Sequence, residues 1–215
     1  MIFVRDKGRM CNNILQYGHL YAWARANNRK TVSMRFAYKY QYFHICRTRW
    51  HNFFIYFLAK YAAKLKLIPT VTFDTPDEDL TEKENAMIHG CLVAEGWFAR
   101  WYDLFLQYKS EILSLFAFDS HIENKVTSLL ETSSIDGIIR LGVHIRRGDY
   151  AKWQGGKYFY DDSQMINIIR QFILLHPSKR VLIYICGNDP MLNKQAYSEA
   201  LGQENVVFPQ GNPGE

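Results

Sequence analysis

Three short strand-like runs near the end of the chain, residues 138–145, 180–186 and 205–208, alternate with two segments of helical period. Apolar runs of four to eight residues bounded by turn residues read as buried strands. Strands joined by helices lie parallel, because only a crossover of about a dozen residues or more returns a strand in the same direction. Residues 163–175 read as a helix opened by a serine N-cap, Ser163, and stopped at His176-Pro177. Residues 190–201 read as a second helix with Pro190 in its first turn. The result is βαβαβ, a nucleotide-binding half-sheet by pattern.

The chain opens in the same way. Residues 1–5 form a short apolar run, and Ile14, Tyr17, Gly18, Tyr21 and Ala24 then recur at helical spacing up to Asn27-Asn28. Residues 31–36 have the β-branched look of a second strand. Between the two α/β regions the reading is less regular. Residues 69–85, with six acids, read as a solvated acidic loop, 86–93 as a strand, and 104–118 and 122–130 as helices with Asp119-Ser120 as a cap between them. The pattern changes at Ser133-Ser-Ile-Asp-Gly137, which places a domain boundary at 135/136. With 215 residues, 48% of them hydrophobic, the chain has material for one large domain or two small ones and is neither disordered nor low in complexity.

No uncharged apolar run reaches the roughly 20 residues of a membrane helix, and the charged start is no signal peptide. Cys11, Cys46, Cys91 and Cys186 are far apart and lack metal-ligand spacing, which reads as reduced, structural thiols in the cytoplasm. Charge is uneven. Residues 1–70 hold 13 Lys and Arg against one acid, Asp6, whereas residues 71–135 hold 4 against 12. The two segments either neutralise each other or leave a basic surface for an anionic membrane, an anionic substrate or nucleic acid. Within the basic part, residues 36–61 crowd eleven aromatic side chains among Lys39, Arg47, Arg49 and Lys60, and the spacing from 50 to 67 suits an amphipathic helix. Its readings are an ordinary core helix, a platform that stacks sugars or bases, or a membrane-surface helix.

The richest chemistry follows the first strand of the second region, in Gly142-Val-His144-Ile-Arg146-Arg147-Gly148-Asp149-Tyr150. Ligands of open α/β sheets bind beyond the carboxyl ends of the strands. Two guanidiniums there form either a diphosphate clamp or a salt-bridged strand end, because Arg offers a planar fork that grips phosphate oxygens. Gly148 permits a sharp turn, Asp149 can orient an arginine, and strand alternation puts His144 on the same face as Arg146 and Arg147 on the other. A second candidate, Cys186-Gly-Asn188-Asp189-Pro190, ends the next strand, where its polar pair either meets a nucleoside or caps a helix. A third is the loop entering the first helix, Asp6 to Tyr17, since helix N-termini bind anions. No dinucleotide glycine fingerprint, Walker loop, zinc motif or nucleophile elbow is present.

His144-Ile-Arg146-Arg147-Gly148-Asp149-Tyr150 resembles the HxRRxD motif of the bacterial α-1,2-fucosyltransferases, glycosyltransferase family 11. Gly8, Asn12, Gln16 and Tyr17 match that family's N-terminal GGLGNQMFQYA motif, with Cys11 and Asn13 as departures. Glu95-Gly-Trp-Phe98, Tyr102 and Glu111-Ile112 are similar to its GYFQ…EI region, and Tyr184 to Pro190 to its FSDD segment without the Ser-Asp. The resemblance implies an α/β, GT-B-like fold of two Rossmann-like domains, here residues 1–135 on the acceptor side and 136–215 on the nucleotide-sugar side. The chain ends before the family's Asn-, Ser- and Trp-rich C-terminal segment, so the second domain is expected to be incomplete and this form inactive.

The resemblance further implies an inverting transferase with GDP-fucose as donor and no cofactor or essential metal. Arg146 and Arg147 would hold the diphosphate and Asp149 would brace them. His144, Asn188 and Asp189, with Gly8, Asn12 and Gln16, would bind the donor. The acceptor is expected to be a galactoside of a surface glycan, lipid-linked at the inner face of the membrane, with peripheral membrane contact and no nucleic acid. A non-enzymatic module binding RNA or other anions, and a transferase for a different GDP-sugar, are the rival readings.

Overall fold

In the computed structural model, residues 1–76, 78–131, 137–187 and 189–209 are described. The chain forms two compact units, Met1–Glu123 and Asn124–Glu215. The boundary expected at 135/136 lies outside the described residues.

The first unit is built on a four-stranded, wholly parallel sheet of β1 (Ile2–Arg5), β2 (Thr31–Ser33), β3 (Thr70–Thr72) and β4 (Leu92–Glu95), in the order β2-β1-β4-β3. Helix α1 (Met10–Ala26) makes the β1-to-β2 crossover and ends at Asn27. It is buried on most sides, because it lies between the sheet and two short helices, α4 (Tyr102–Gln107) and α5 (Lys109–Leu115). Tyr17, Leu20 and Trp23 of α1 join Ile2, Val4, Phe36, Phe43, Phe73 and Leu92 in the main core. Burying large side chains of this kind contributes about 1.5–3 kcal/mol each. Helix α2 (Phe53–Lys64) starts at Asn52, whose side chain accepts from the Ile55 N–H at 3.0 Å.

The middle of the chain differs from its reading. The acidic stretch is no plain loop: it carries β3 and the start of α3 (Thr81–His89), and the strand expected over 86–93 begins only at Leu92. The cause is tertiary. Glu84 Oε1 accepts from the Trp23 indole at 2.9 Å and the Trp101 indole at 2.7 Å, and Lys83 donates to the Thr72 carbonyl and to Glu78. An acid that satisfies two indole N–H groups is worth ordering. The helix expected over 104–118 breaks at Tyr108 into α4 and α5, and β2 is shorter than the run 31–36.

The turn after β4 depends on a glycine. Gly96 has φ +119°, and a Cβ there would lie 2.2 Å from the Phe73 carbonyl oxygen. Gly96→Ala is expected to destabilise the chain by more than about 2 kcal/mol, read as a lower denaturant midpoint with an unchanged slope.

The second unit holds a parallel three-stranded sheet, β5 (Ile139–Ile145), β6 (Val181–Gly187) and β7 (Val206–Val207), in the order β5-β6-β7. This is the expected βαβαβ unit. Helix α6 (Ser120–Glu131) precedes it. Helices α7 (Asp162–Leu174) and α8 (Lys194–Leu201) supply Ile166, Ile169, Tyr197 and Leu201 to a core with Ile145, Val181, Ile183 and Ile185. Two helix starts differ from expectation. The N-cap of α7 is Asp161, not Ser163, in a reciprocal box with Gln164. Helix α8 starts at Lys194 with Asn193 as its cap, so Pro190 lies in the preceding turn.

Candidate active site

Strand β5 alternates as the sequence requires. Ile139, Leu141, Val143 and Ile145 turn toward the core, while Arg140, Gly142 and His144 are exposed. At its carboxyl end the two arginines part company. Arg146 keeps 35% of its side chain exposed, and its guanidinium lies 4.6 Å from the centre of the Tyr150 ring. One nitrogen, Nη2, reaches Asp149 at 3.3 and 3.4 Å, and Nε is buried without a hydrogen-bond partner. That pair is long and solvated, so it holds the side chain weakly. Gly148, at φ +21°, lets the chain turn directly into the short helical turn Gly148–Ala151, which carries Asp149 and Tyr150.

Arg147 is buried and fully engaged. Its Nε donates to the Tyr160 carbonyl at 2.8 Å, Nη1 to Asp189 at 3.2 Å, and Nη2 to Asp162 at 2.6 Å and to the Tyr197 hydroxyl at 3.5 Å. Burial opposes its charge, but the hydrogen bond and charge of Asp162 outweigh that and raise its pKa. Burial pushes Asp162 up, but the hydrogen bonds from Arg147 and Tyr197 and the Arg147 charge together outweigh it, so its pKa falls below the usual carboxylate value. Two carboxylates already neutralise this guanidinium. The two arginines expected on a diphosphate therefore stand differently here: Arg146 has an unpaired Nε, and Arg147 joins β5, α7 and the turn after β6.

Asp189 has both oxygens in use, Oδ2 on Arg147 and Oδ1 on the Met191 N–H at 2.9 Å. It caps a turn and supports Arg147. Asn188 lies outside the described residues. Beside Arg146 is a group the sequence reading passed over. The Tyr150, Trp153 and Tyr158 rings follow one another at 5.3 Å spacings, and Trp153 and Tyr158 are 48% and 42% exposed. The signal was visible as aromatic residues directly after the Arg-Arg-Gly-Asp turn.

In the first unit, the glutamine of the N-terminal motif has a structural task. Gln16 is buried, donates to the Lys7 carbonyl at 2.7 Å and the Asn12 carbonyl at 3.0 Å, and accepts from the Lys7 N–H at 3.3 Å. It fastens the loop that holds Gly8 to the first turn of α1. Asn12 is exposed in that turn, and Asn13 behind it is fully buried with neither amide atom paired.

Asp6, the first residue of the loop that leads into α1, follows β1 and is almost wholly buried. It accepts from the Ser33 hydroxyl at 2.7 Å and the Arg35 N–H at 3.4 Å. Burial raises its pKa to about 7 against these hydrogen bonds. It borders a cavity of about 470 Å³ whose wall includes Arg35, Tyr38, Tyr56, Lys60 and Lys64. The Tyr38 and Tyr56 rings are 4.5 Å apart. Ser33 also donates its N–H to His51 Nε2 at 2.9 Å, and burial lowers the pKa of His51 to about 4.

Among the described residues no group of three or more histidines, cysteines or acids is placed to hold a metal ion. No helix among them is long and apolar enough to cross a membrane. The four cysteines are free thiols.

No protein-family model matches the chain, and no curated protein matches it in sequence. Solved structures match its fold. NodZ α-1,6-fucosyltransferase, in a crystal soaked with GDP-fucose, aligns over 97% of this chain and 78% of its own, with a TM-score of 0.50 and 13% identity. POFUT1 in its apo form aligns over 100% and 85%, with a TM-score of 0.49 and 12% identity. The fold is thus the expected one, α/β and GT-B-like, with parallel sheets in both units.

Proposed function

We propose that the chain is an inverting glycosyltransferase that moves fucose from GDP-fucose to a galactoside hydroxyl, forming an α-1,2 link in a surface glycan. The observation that carries this reading is Arg146: a guanidinium at the carboxyl end of a parallel strand, backed by an exposed glycine turn, with a buried Nε that nothing satisfies. A diphosphate supplies the missing acceptors in the geometry a guanidinium prefers. As the sugar–oxygen bond breaks, negative charge grows on the leaving diphosphate, so a fixed cation there favours the transition state over the ground state. The reading uses this guanidinium, and no metal, for that task.

In this reading Asp149, beside Arg146, steadies it on a bound diphosphate, and His144 and Asn188 are assigned to the nucleoside by the resemblance. The exposed Trp153 and Tyr158 rings, with the half-buried Tyr150 beside them, offer faces for a base or a sugar. Arg147, Asp162 and Asp189 keep the turn in place. In the first unit, the cavity beside Asp6 is of ligand size, and its tyrosines and cations suit a polar saccharide acceptor. The resemblance of the HxRRxD stretch and the fold shared with NodZ support the choice of GDP-fucose.

Calorimetry tests the reading. Wild-type chain is expected to bind GDP and GDP-fucose, and Arg146→Ala to bind each at least about 100-fold more weakly, the loss of one or two charge-assisted hydrogen bonds. A wild-type chain that ignores both ligands sinks the proposal. A donor panel in which another GDP-sugar is turned over faster transfers it to that sugar.

A further inference from the structure

Helix α2 is apolar but for Lys60 and Lys64, and the fold buries only one side of it. Tyr56, Ala59 and Ala63 lie against Phe3, Met34 and Val93 of the sheet region. At about 100° per residue, Phe53, Phe54, Phe57, Leu58, Tyr61 and Leu65 fall on the opposite arc, and all are exposed, Phe53 and Phe54 at 63% and 66%. The Phe57 and Tyr61 rings are 4.4 Å apart and those of Phe53 and Phe57 6.5 Å, so the strip is continuous. A helix with apolar residues on both its inner and its outer arc normally buries both, and a patch of this size marks an interaction surface.

Charge decides the occupant. Lys60 and Lys64 border the strip, Lys66 follows it and Arg47 and Arg49 precede it, while no acid occurs anywhere between Asp6 and Asp74. Basic residues elsewhere in the first unit do meet acids, as Arg5 and Lys7 meet Glu95, Arg25 meets Glu111 and Arg47 meets Asp119. Among the described residues Lys60, Lys64 and Lys66 form no ion pair. A second copy of the chain would bring this positive border against its own like. An anionic bilayer surface matches both parts. Aromatic rings settle at the headgroup level, lysine stems lie along apolar surface with their ammonium groups in water, and a helix with this division lies in the interface plane.

We infer that the outer face of α2 binds the chain peripherally to anionic lipid, with Phe53, Phe54 and Phe57 inserted and Lys60, Lys64 and Lys66 on the headgroups. Lys60 and Lys64 also border the cavity beside Asp6 that the transferase reading gives to the acceptor, but the inference uses none of the residues at the β5 turn, so GDP binding there tests the two readings separately.

The test is co-sedimentation of the full chain with vesicles of phosphatidylcholine alone and with 30% phosphatidylglycerol. The chain is expected to pellet with the anionic vesicles and to be released by high salt. Lys60→Gln and Lys64→Gln together should weaken binding by about fivefold per charge. Phe54→Ser and Phe57→Ser together should weaken it at least about tenfold, with circular dichroism and GDP affinity unchanged. Three outcomes overturn the inference: no pelleting with anionic vesicles, equal pelleting with both vesicle types, or a self-association in sedimentation velocity that the phenylalanine pair abolishes. A chain that binds vesicles but not GDP leaves the inference standing and removes the transferase reading.

Discussion

Arg147→Ala is expected to lower the stability of the second unit by about 3 kcal/mol, whereas Arg146→Ala, one residue away, leaves it within about 0.5 kcal/mol. Removal of Arg147 strands two carboxylates, Asp162 and Asp189, whose side chains are 26% and 12% exposed. It also strands the Tyr160 carbonyl. Charges stripped of a partner in a partly buried site cost more than the pair contributes when intact. For a unit of this size the loss corresponds to a fall of roughly 15 °C in melting temperature. Arg147→Lys cannot span three separate acceptors and should recover part of the loss. Arg147→Met combined with Asp162→Asn and Asp189→Asn should recover more, because it removes the unpaired charges as well. Thermal melts of the four variants decide the matter. If Arg147→Ala melts with the wild type but loses GDP, the guanidinium faces the ligand after all, and the two arginines act as equals.

Asp6→Asn should make the chain more stable than the wild type above pH 7 and should flatten the dependence between pH 4 and 7. The folded state raises Asp6 from 3.8 to about 7, chiefly by burial. The folded chain therefore holds a proton that the unfolded chain releases. Stability from this group is fully present below pH 4 and is lost as pH rises through 7. The full shift corresponds to an upper bound of about 4 kcal/mol at alkaline pH. His19 and His51 act in the opposite direction. Burial depresses both from 6.5 to about 4, so their contribution is present above pH 6.5 and is lost as pH falls toward 4. Their effect is common to both chains, so the difference between wild type and Asp6→Asn isolates the carboxylate. Urea unfolding at closely spaced pH values measures it. A difference that grows toward acid instead would mean that Arg35 and the Ser33 hydroxyl hold Asp6 ionised in the fold.

Much of the architecture was legible because strand and helix periods are local. The apolar runs at 1–5, 138–145 and 180–186 became β1, β5 and β6, and the helical spacing from Ile14 to Ala24 became α1. Strand alternation also foretold that Arg146 and Arg147 would leave β5 on different sides, which is what their partners show. The misreadings occur where a distant residue sets the local structure. Glu84 reads as one more acid in a polar stretch until two indoles from elsewhere in the chain meet it. Asp162, just before the serine read as a helix opening, carries no local signal of its role until Arg147 arrives from β5. Asp6 reads as the start of an anion-binding loop until Ser33 and Arg35 enclose it as a buried carboxyl.

The order of amino acids by itself determined that the chain would be parallel α/β, that its first 70 residues would be basic, and that two guanidiniums would stand at the end of a parallel strand. These follow from period and charge, which need no partner. Only the tertiary structure decided which guanidinium is neutralised, which carboxylate is buried, and which half of α2 is left facing solvent. Those outcomes depend on groups brought together from far apart in the chain, where the cost of burying a charge or leaving an apolar face uncovered is set by neighbours the local sequence does not name.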